Sequence, residues 1–342
     1  MERFAALATP IRVLFVLLPD SLALDWAGPA EALRTANQVL LGLKQPPGFQ
    51  LEFIGPEPEP VSSVGLRLRD VQPLPELRVK DGEPPVWVVL LGQPGTTVDT
   101  RSSPVRATLH WLRGLHLRTS QLELVCICAG SVLAAHAGLL AGVEATTHHH
   151  HLAELRTTAP DCHVLSNRVF VGSGAIWSSA GVTTGIDLML HRIADVCGPV
   201  VAAKVAESMV VALRRGPADP ELSPFLTHRG HLHPALHRVQ DAICRQPQGD
   251  WSVAAMARVA CISPRHLSRI FAEQAGIAPL QYLRRIRLTT AQAALKAGAS
   301  VGRAAALAGF SSDTQLRRAW RQSGAHGLSP SAMCDRRGPH TG

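Results

Sequence analysis

A chain of 342 residues, 46% apolar and 18% charged, is too long for one ordinary hydrophobic core and long enough for two. No uncharged apolar stretch reaches the roughly 18 residues of a membrane-spanning helix, residues 1–10 lack signal-peptide features, and the seven cysteines are scattered singly without a CxxC pair. A reduced cytoplasmic setting is therefore expected, with no membrane, disulfide framework or zinc site. The net charge of +8 is unevenly held: from Arg229 onward 16 Lys and Arg face 5 Asp and Glu, whereas residues 1–228 carry 18 against 21. That asymmetry suits one domain that neutralises phosphates joined to one with another task.

In the first two-thirds, residues 11–18 (IRVLFVLL), 86–91 (VWVVLL) and 122–127 (LELVCI) are short, nearly continuous and rich in β-branched residues, as strands buried on both faces should be. Helical patterns over 29–40, 104–115, 131–140 and 185–196 supply crossovers. The alternation predicts an α/β sandwich with a mostly parallel sheet. Residues 52–85, rich in proline, read as irregular.

The strand at 122–127 runs into Cys128-Ala129-Gly130-Ser131 and then a helix. A nucleophile at such a turn is held exposed, and a helix N-terminus lowers a thiol pKa; the alternative for Cys128 is a buried small hydrophobe. Cys126 is expected to point to the same side but within the core. The segments DWAGPAEALRTAN from Asp25, ICAGSVLAAHAGLL, ATTH ending at His148 and SSAGVTTGIDLMLH resemble the ThiJ/PfpI superfamily, also called class I glutamine amidotransferase-like, over most of residues 11–213.

The resemblance implies a pocket in which Cys128 faces Glu31 from the first helix and His148, with Gly92 and Ala129 beside it. Asp25 stays open between a pocket role and first-helix capping. Residues 148–151 are four histidines resembling a metal tract or a tag; at most one is expected to line the pocket, and no metal or cofactor is expected. Peptidase-like members place histidine directly after the cysteine, where this chain has Ala129, and the usual glycine pair is here Gly92-Gln93. A ligand pocket on an old scaffold is therefore favoured over the alternative, a cysteine-dependent amidase or hydrolase.

Gly216, Pro217, Pro220, Pro224, Gly230 and Pro234 interrupt helix formation and mark a linker at 214–236. His228, His231, His233 and His237 lie in or beside it; without cysteine or carboxylate partners at a recognised spacing they read as a polar hinge rather than a metal site.

Beyond the linker, SVAAMARVACISPRHLSRIFAEQAG at 252–276 and SVGRAAALAGFSSDTQLRRAWRQSG at 300–324 form a repeat with a one-residue slip. Met256, Ala257 and Ala260 match Ala304, Ala305 and Ala308, and Leu267 and Phe271 match Leu316 and Trp320. Each copy predicts a helix, a turn capped by Ser263 or Ser311, and a second helix sealed by apolar positions four apart: a helix-turn-helix. Residues 280–295 join the copies as one helix, long enough to set two reading helices about one DNA turn, roughly 34 Å, apart.

Arg265, Ser268 and Arg269 in the first copy, and Thr314, Gln315, Arg317 and Arg318 in the second, face away from the apolar seam. Arginine can pair bidentately with guanine and glutamine with adenine, although some of these side chains could meet only phosphate or solvent. Arg284, Arg285 and Arg287 on the joining helix read as phosphate-facing or structural.

SPRHLSRIF, GIAPLQYLRRIRLTTAQAAL, AGF and GLSP resemble the AraC family DNA-binding domain over about a hundred residues. Leu316 and Trp320 depart from the usual phenylalanines, and Trp320 lies seven residues before Gly327 rather than five, which implies an altered last turn. Together the resemblances imply a GlxA-like architecture: an amidase-like sensing domain at 10–213 and an AraC-type domain at 237–335. They further imply a transcription regulator that binds double-stranded DNA, responds to a small molecule such as an amine or amino-acid derivative, forms homodimers through the N-terminal domain and works with RNA polymerase.

Overall fold

The computed structural model of the chain describes residues 9–77, 82–211, 215–217, 219, 227–229, 231–323 and 329–331. The chain divides into two units, Met1–Glu221 and Leu222–Gly342. The first holds a seven-stranded sheet in the order β3-β2-β1-β4-β5-β9-β8, built from β1 (Ile11–Val16), β2 (Phe49–Gly55), β3 (Gln72–Pro73), β4 (Val86–Leu90), β5 (Leu122–Ile127), β8 (Phe170–Ser173) and β9 (Ile176–Ser179). β8 runs antiparallel to β9 and every other pairing is parallel. A separate parallel pair joins β6 (Glu144–Ala145) to β7 (His163–Val164).

Alternation along β1 explains its unbroken apolar run. Val13, Phe15 and Leu17 enter one core with α1 (Ala23–Gly42), α5 (Thr184–Cys197) and α6 (Pro199–Ser208). Leu14, Val16 and Leu18 enter the opposite core with α2 (Ser103–Arg113), α3 (Gly130–His136) and α4 (Leu152–Thr158). A strand covered on both sides has no polar face to show. The expected α/β sandwich with a mostly parallel sheet is thus present, with three differences. β2 and β3 occupy parts of the proline-rich stretch expected to be irregular. α1 begins six residues before Pro29, which lies in its second turn. Cys126 belongs to the α2/α3 core and Cys128 to the α1/α5 core, so the two cysteines do not share a side.

The segment read as a linker is tied down where it is described. Arg215 bonds Asp187 on α5, and the Asp219 carbonyl accepts from Val169 N–H. In the second unit His228 bonds the Ala275 carbonyl, His231 bonds Gln240, and His237 bonds the His231 carbonyl. Residues 220–226 and the Gly327-Leu328 part of GLSP lie outside the described residues, as does the stretch 332–335 that closes the expected DNA-binding domain.

The second unit is helical: α7 (Pro234–Arg245), α8 (Val253–Ala260), α9 (Pro264–Ala275), α10 (Pro279–Lys296), α11 (Val301–Ala308) and α12 (Asp313–Ser323). The repeat is visible in its caps. Ser252 and Ser300 each accept from the backbone N–H three residues on, and α8 and α11 each end in a left-handed residue, Cys261 at φ 58° and Gly309 at φ 81°. Ser263 caps α9 through His266 N–H. Its counterpart is Ser312, which accepts from Gln315 N–H at 3.2 Å, rather than Ser311, whose own N–H donates to Gln315 Oε1; the one-residue slip falls before the cap.

Each helix-turn-helix has its own core, and α10 enters both. Leu283 and Ile286 pack with α7, α8 and α9, whereas Leu288, Ala291 and Leu295 pack with α11 and α12. At 18 residues the helix is about 27 Å long. Arg287, at its middle, donates from Nε to Pro247 O and from a terminal nitrogen to Gly249 O, both at 2.8 Å. It is a structural arginine. The Gly309 turn meets the same loop, since a Cβ there would lie 2.5 Å from Gln248 Cα.

Arg287→Met, which keeps the aliphatic stem and loses both hydrogen bonds, is expected to cost the second unit roughly 1–3 kcal/mol, read as a lower midpoint in urea unfolding followed by circular dichroism. An unchanged midpoint would show that the loop is held without it.

Candidate functional site

Open α/β sheets bind ligands outside the carboxyl ends of their strands, where neighbouring connections leave in opposite directions. Here that point lies between β1 and β4, the strands from which the sheet grows outward both ways. Asp25 follows β1, Gly92 follows β4 and Cys128 follows β5, so the three meet at one end of the sheet although they lie far apart in the chain.

Cys128 has φ 56°, the left-handed region that costs a side-chain-bearing residue about 1 kcal/mol or more. Its backbone is held on two sides: its N–H donates to Ser179 O at 3.1 Å, and its carbonyl accepts from the Thr147 hydroxyl at 2.8 Å. Two glycines flank it. A Cβ at Gly92 would lie 2.7 Å from Cys128 Cβ and 2.8 Å from Asp25 Oδ2; one at Gly181 would lie 2.2 Å from Cys128 Cβ. Any larger residue at either position would collide. At 4% exposure the cysteine is buried, which differs from the exposed elbow expected of its turn.

Asp25 is fully buried in the first turn of α1. Its Oδ2 accepts from Gly92 N–H at 3.0 Å and its Oδ1 from Val182 N–H at 2.7 Å. Burial pushes its carboxyl up to about 6, against the opposing pull of the Val182 and Gly92 hydrogen bonds. Glu31, which the resemblance implied as the facing carboxylate, is exposed and pairs with Arg34 at 2.7 Å. The reason is helical: six residues at about 100° each carry Glu31 roughly 240° round α1 from Asp25, onto the solvent face. Asp25 therefore fills the place expected of Glu31.

Ala129 is buried at the N-terminal end of α3. Ser131 donates its hydroxyl to Thr146 O, Thr146 N–H donates to Ser178 Oγ, and this ladder carries residues 146–148 to the Cys128 turn. His148 is half-buried; burial first, and its imidazole neighbours second, push it down to about 4, so it is neutral at pH 7. His151 turns away, pairing with Glu154 at 2.9 Å. Gln93 donates to Pro19 O while its Oε1 is buried without a partner among the described residues.

Sequence reading missed Gly181, Val182 and Thr147. The first two follow β9, whose IWSS sequence is too short and polar to read as a strand, although both fall inside the SSAGVTTG segment.

In the second unit, Arg265, Ser268 and Arg269 on α9 and Thr314, Gln315, Arg317 and Arg318 on α12 are all exposed, as their spacing predicts. Their surroundings differ. Arg269 pairs with Glu273 at 2.9 Å, Ser268 bonds the Pro264 carbonyl, Gln315 is engaged by Ser311, and Arg317 donates to Ser331. Arg265 and Arg318 form no ion pair among the described residues. Arg318 borders a shallow groove with Arg284, Gln315 and Gln322.

A helix-turn-helix domain model matches residues 256–336. The HTH-type transcriptional regulator GlxA of Rhizobium meliloti is 31% identical over 317 residues, covering 91% of this chain and 92% of that protein. The HTH-type transcriptional regulator CdhR of Pseudomonas aeruginosa is 28% identical over 90% of this chain and 87% of its own length. An isonitrile hydratase of Pseudomonas putida is 27% identical over 61% of this chain and 81% of its length. With its sheet domain, its doubled helix-turn-helix and its near full-length match to the Rhizobium protein, the chain belongs to the GlxA-like family of HTH-type transcriptional regulators.

Proposed function

We propose that this regulator senses a small molecule at the sheet end bordered by Asp25, Gly92, Cys128, Ala129 and His148, and that α9 and α12 read DNA. The observation that carries the reading is Asp25, one carboxylate that bridges the ends of two chain segments beside the Cys128 turn. A buried carboxylate bonded to Gly92, with the unpartnered Gln93 Oε1 one residue beyond Gly92 and the neutral His148 imidazole one residue beyond Thr147, suits an amine or an amino-acid derivative, whose cation would offset the cost of ionising Asp25.

The same loop offers a route to the rest of the chain. Val182 holds Asp25; Thr183, its neighbour, accepts a hydrogen bond from Arg215; and Arg215 also pairs with Asp187. A ligand that favours one position of this loop biases the anchoring of the connection that leads to the second unit, a population shift driven by differential affinity. Homodimerisation through the first unit, contact with RNA polymerase and a cytoplasmic location belong to the same proposal; no helix among the described residues is long and apolar enough to cross a membrane.

The likeness to an isonitrile hydratase favours a second reading, a cysteine enzyme. Against it stand the burial of Cys128, the alanine that follows it, and a His148 pushed to about 4, far below the range in which a general base serves best at neutral pH. With the inducer in hand, Cys128→Ser is expected to weaken its binding in isothermal titration while DNA binding persists. Turnover by the wild type that the variant lacks would establish the enzyme instead.

Asp25 gives a stability test. Because its folded-state pKa is raised from 3.8 to about 6, its contribution is complete below about pH 3.8 and is lost as pH rises through about 6. Between pH 4 and 6 the wild type should lose stability relative to Asp25→Asn, by on the order of 2 kcal/mol, measured by chemical unfolding at each pH. Parallel curves would remove the buried carboxylate from the account.

For the DNA face, Arg265→Ala and Arg318→Ala should each weaken binding to the operator by about 1–3 kcal/mol and relax discrimination, whereas Arg269→Ala, already paired with Glu273, should do less. Equal losses on operator and scrambled duplex would make both arginines phosphate contacts.

A further inference from the structure

The sequence holds two histidine groups, and the structure treats them differently. Around the unit boundary ring nitrogens of three histidines are engaged: His228 Nδ1 by the Ala275 carbonyl and Nε2 by Arg285, His231 Nε2 by Gln240, and His237 Nε2 by the His231 carbonyl, while the buried His233 Nδ1 has no partner among the described residues. In the first unit, His148, His149 and His150 turn their rings toward one another. The centroids of His148 and His149 are 4.1 Å apart, those of His149 and His150 4.2 Å, and those of His148 and His150 4.8 Å. One nitrogen from each ring falls within a set whose members all lie within 4.8 Å of one another.

We propose that these three histidines form a binding site for a borderline divalent transition metal such as zinc, nickel or cobalt. The proposal goes beyond the sensing pocket and stands without it. Three imidazoles and no carboxylate select such ions over calcium or magnesium. Metal–nitrogen bonds of about 2.0–2.1 Å at tetrahedral angles place the donors about 3.3 Å apart, so the widest separation in the set must close by about 1.5 Å. His150 can move to do this, being exposed. Among the described residues the His148 ring is bonded by His150 N–H, which donates to Nδ1 at a long 3.4 Å, so little is lost when the ring reorients or changes tautomer.

The backbone holds the cluster. His149–His151 form a turn of 3-10 helix entered from His148, whose backbone at φ −55° and ψ 140° lies outside the turn, and the rings of His148, His149 and His150 meet across that entry. Just before it, Thr147 grips the Cys128 carbonyl and Thr146 is fixed by Ser178. Three protein ligands leave one position of a tetrahedral shell open to water or an external donor.

The test uses the full-length protein, freed of metal with a chelator, and zinc alone as the probe. Isothermal titration should give one zinc per chain for the wild type. His149→Ala and His150→Ala should each weaken it at least tenfold, while His116→Gln, an exposed histidine elsewhere, leaves it unchanged. Cobalt should report the same site by the intense visible absorption of a tetrahedral complex, lost in both variants. A wild type that takes up no zinc would overturn the proposal, as would variants that bind as the wild type does. His150→Ala removes an exposed side chain, so its loss of zinc cannot be ascribed to a lost core.

Discussion

The first unit is organised around a buried carboxylate that has almost no freedom to be anything else. Asp25 must accept the N–H groups of both Gly92 and Val182; these belong to loops that leave different strands and would otherwise carry unsatisfied buried donors. Holding those loops fixes Gly92 and the Gly181-Val182 turn close to Cys128, and that closeness in turn demands glycine at 92 and 181. An asparagine would match only one donor at a time, because its amide nitrogen would face the other N–H. The carboxylate, the two glycines and the left-handed cysteine are thus one steric and hydrogen-bonding solution rather than four independent features.

Much of this was legible in the residues, and the misses have physical causes. The continuous apolar runs gave β1, β4 and β5 because strands covered on both faces leave no doubt about burial, and the C-A-G-S turn put Cys128 between a strand and a helix, though buried rather than exposed. Choosing between Asp25 and Glu31 was harder, because it depends on where α1 starts. Proline is a good first-turn residue, so Pro29 looked like the beginning; once the helix starts at Ala23, Asp25 moves to the sheet side and Glu31 to solvent. β9 was missed because its residues serve the site rather than a core: Ser178 caps a backbone N–H and Ser179 supplies its carbonyl to Cys128. The doubled helix-turn-helix was the most legible part, since its alanine seams and serine caps are local signals. Only the cap of α12 was misplaced, by the single residue through which the two copies differ in register.

The second unit raises a separate constraint. Two helix-turn-helix modules on one chain can read one continuous site only if the geometry between α9 and α12 is maintained, yet each module has its own core, and separate cores alone impose no fixed angle. The structure meets this in two ways. α10 contributes to both cores from opposite halves of one unbroken helix, so bending it would expose apolar surface in one module or the other. The Pro247-Gln248-Gly249 loop of the first module is then clamped by Arg287 and by the Gly309 turn of the second. Gly309 therefore has two reasons to lack a side chain: its left-handed φ and the 2.5 Å approach to Gln248 Cα. Its counterpart Cys261 adopts the same backbone region at φ 58° and is exposed, so there the left-handed turn tolerates a side chain. The two equivalent positions thus differ where the modules hold each other. The arginines that face solvent on α9 and α12 owe their spacing to that clamp as much as to their own helices.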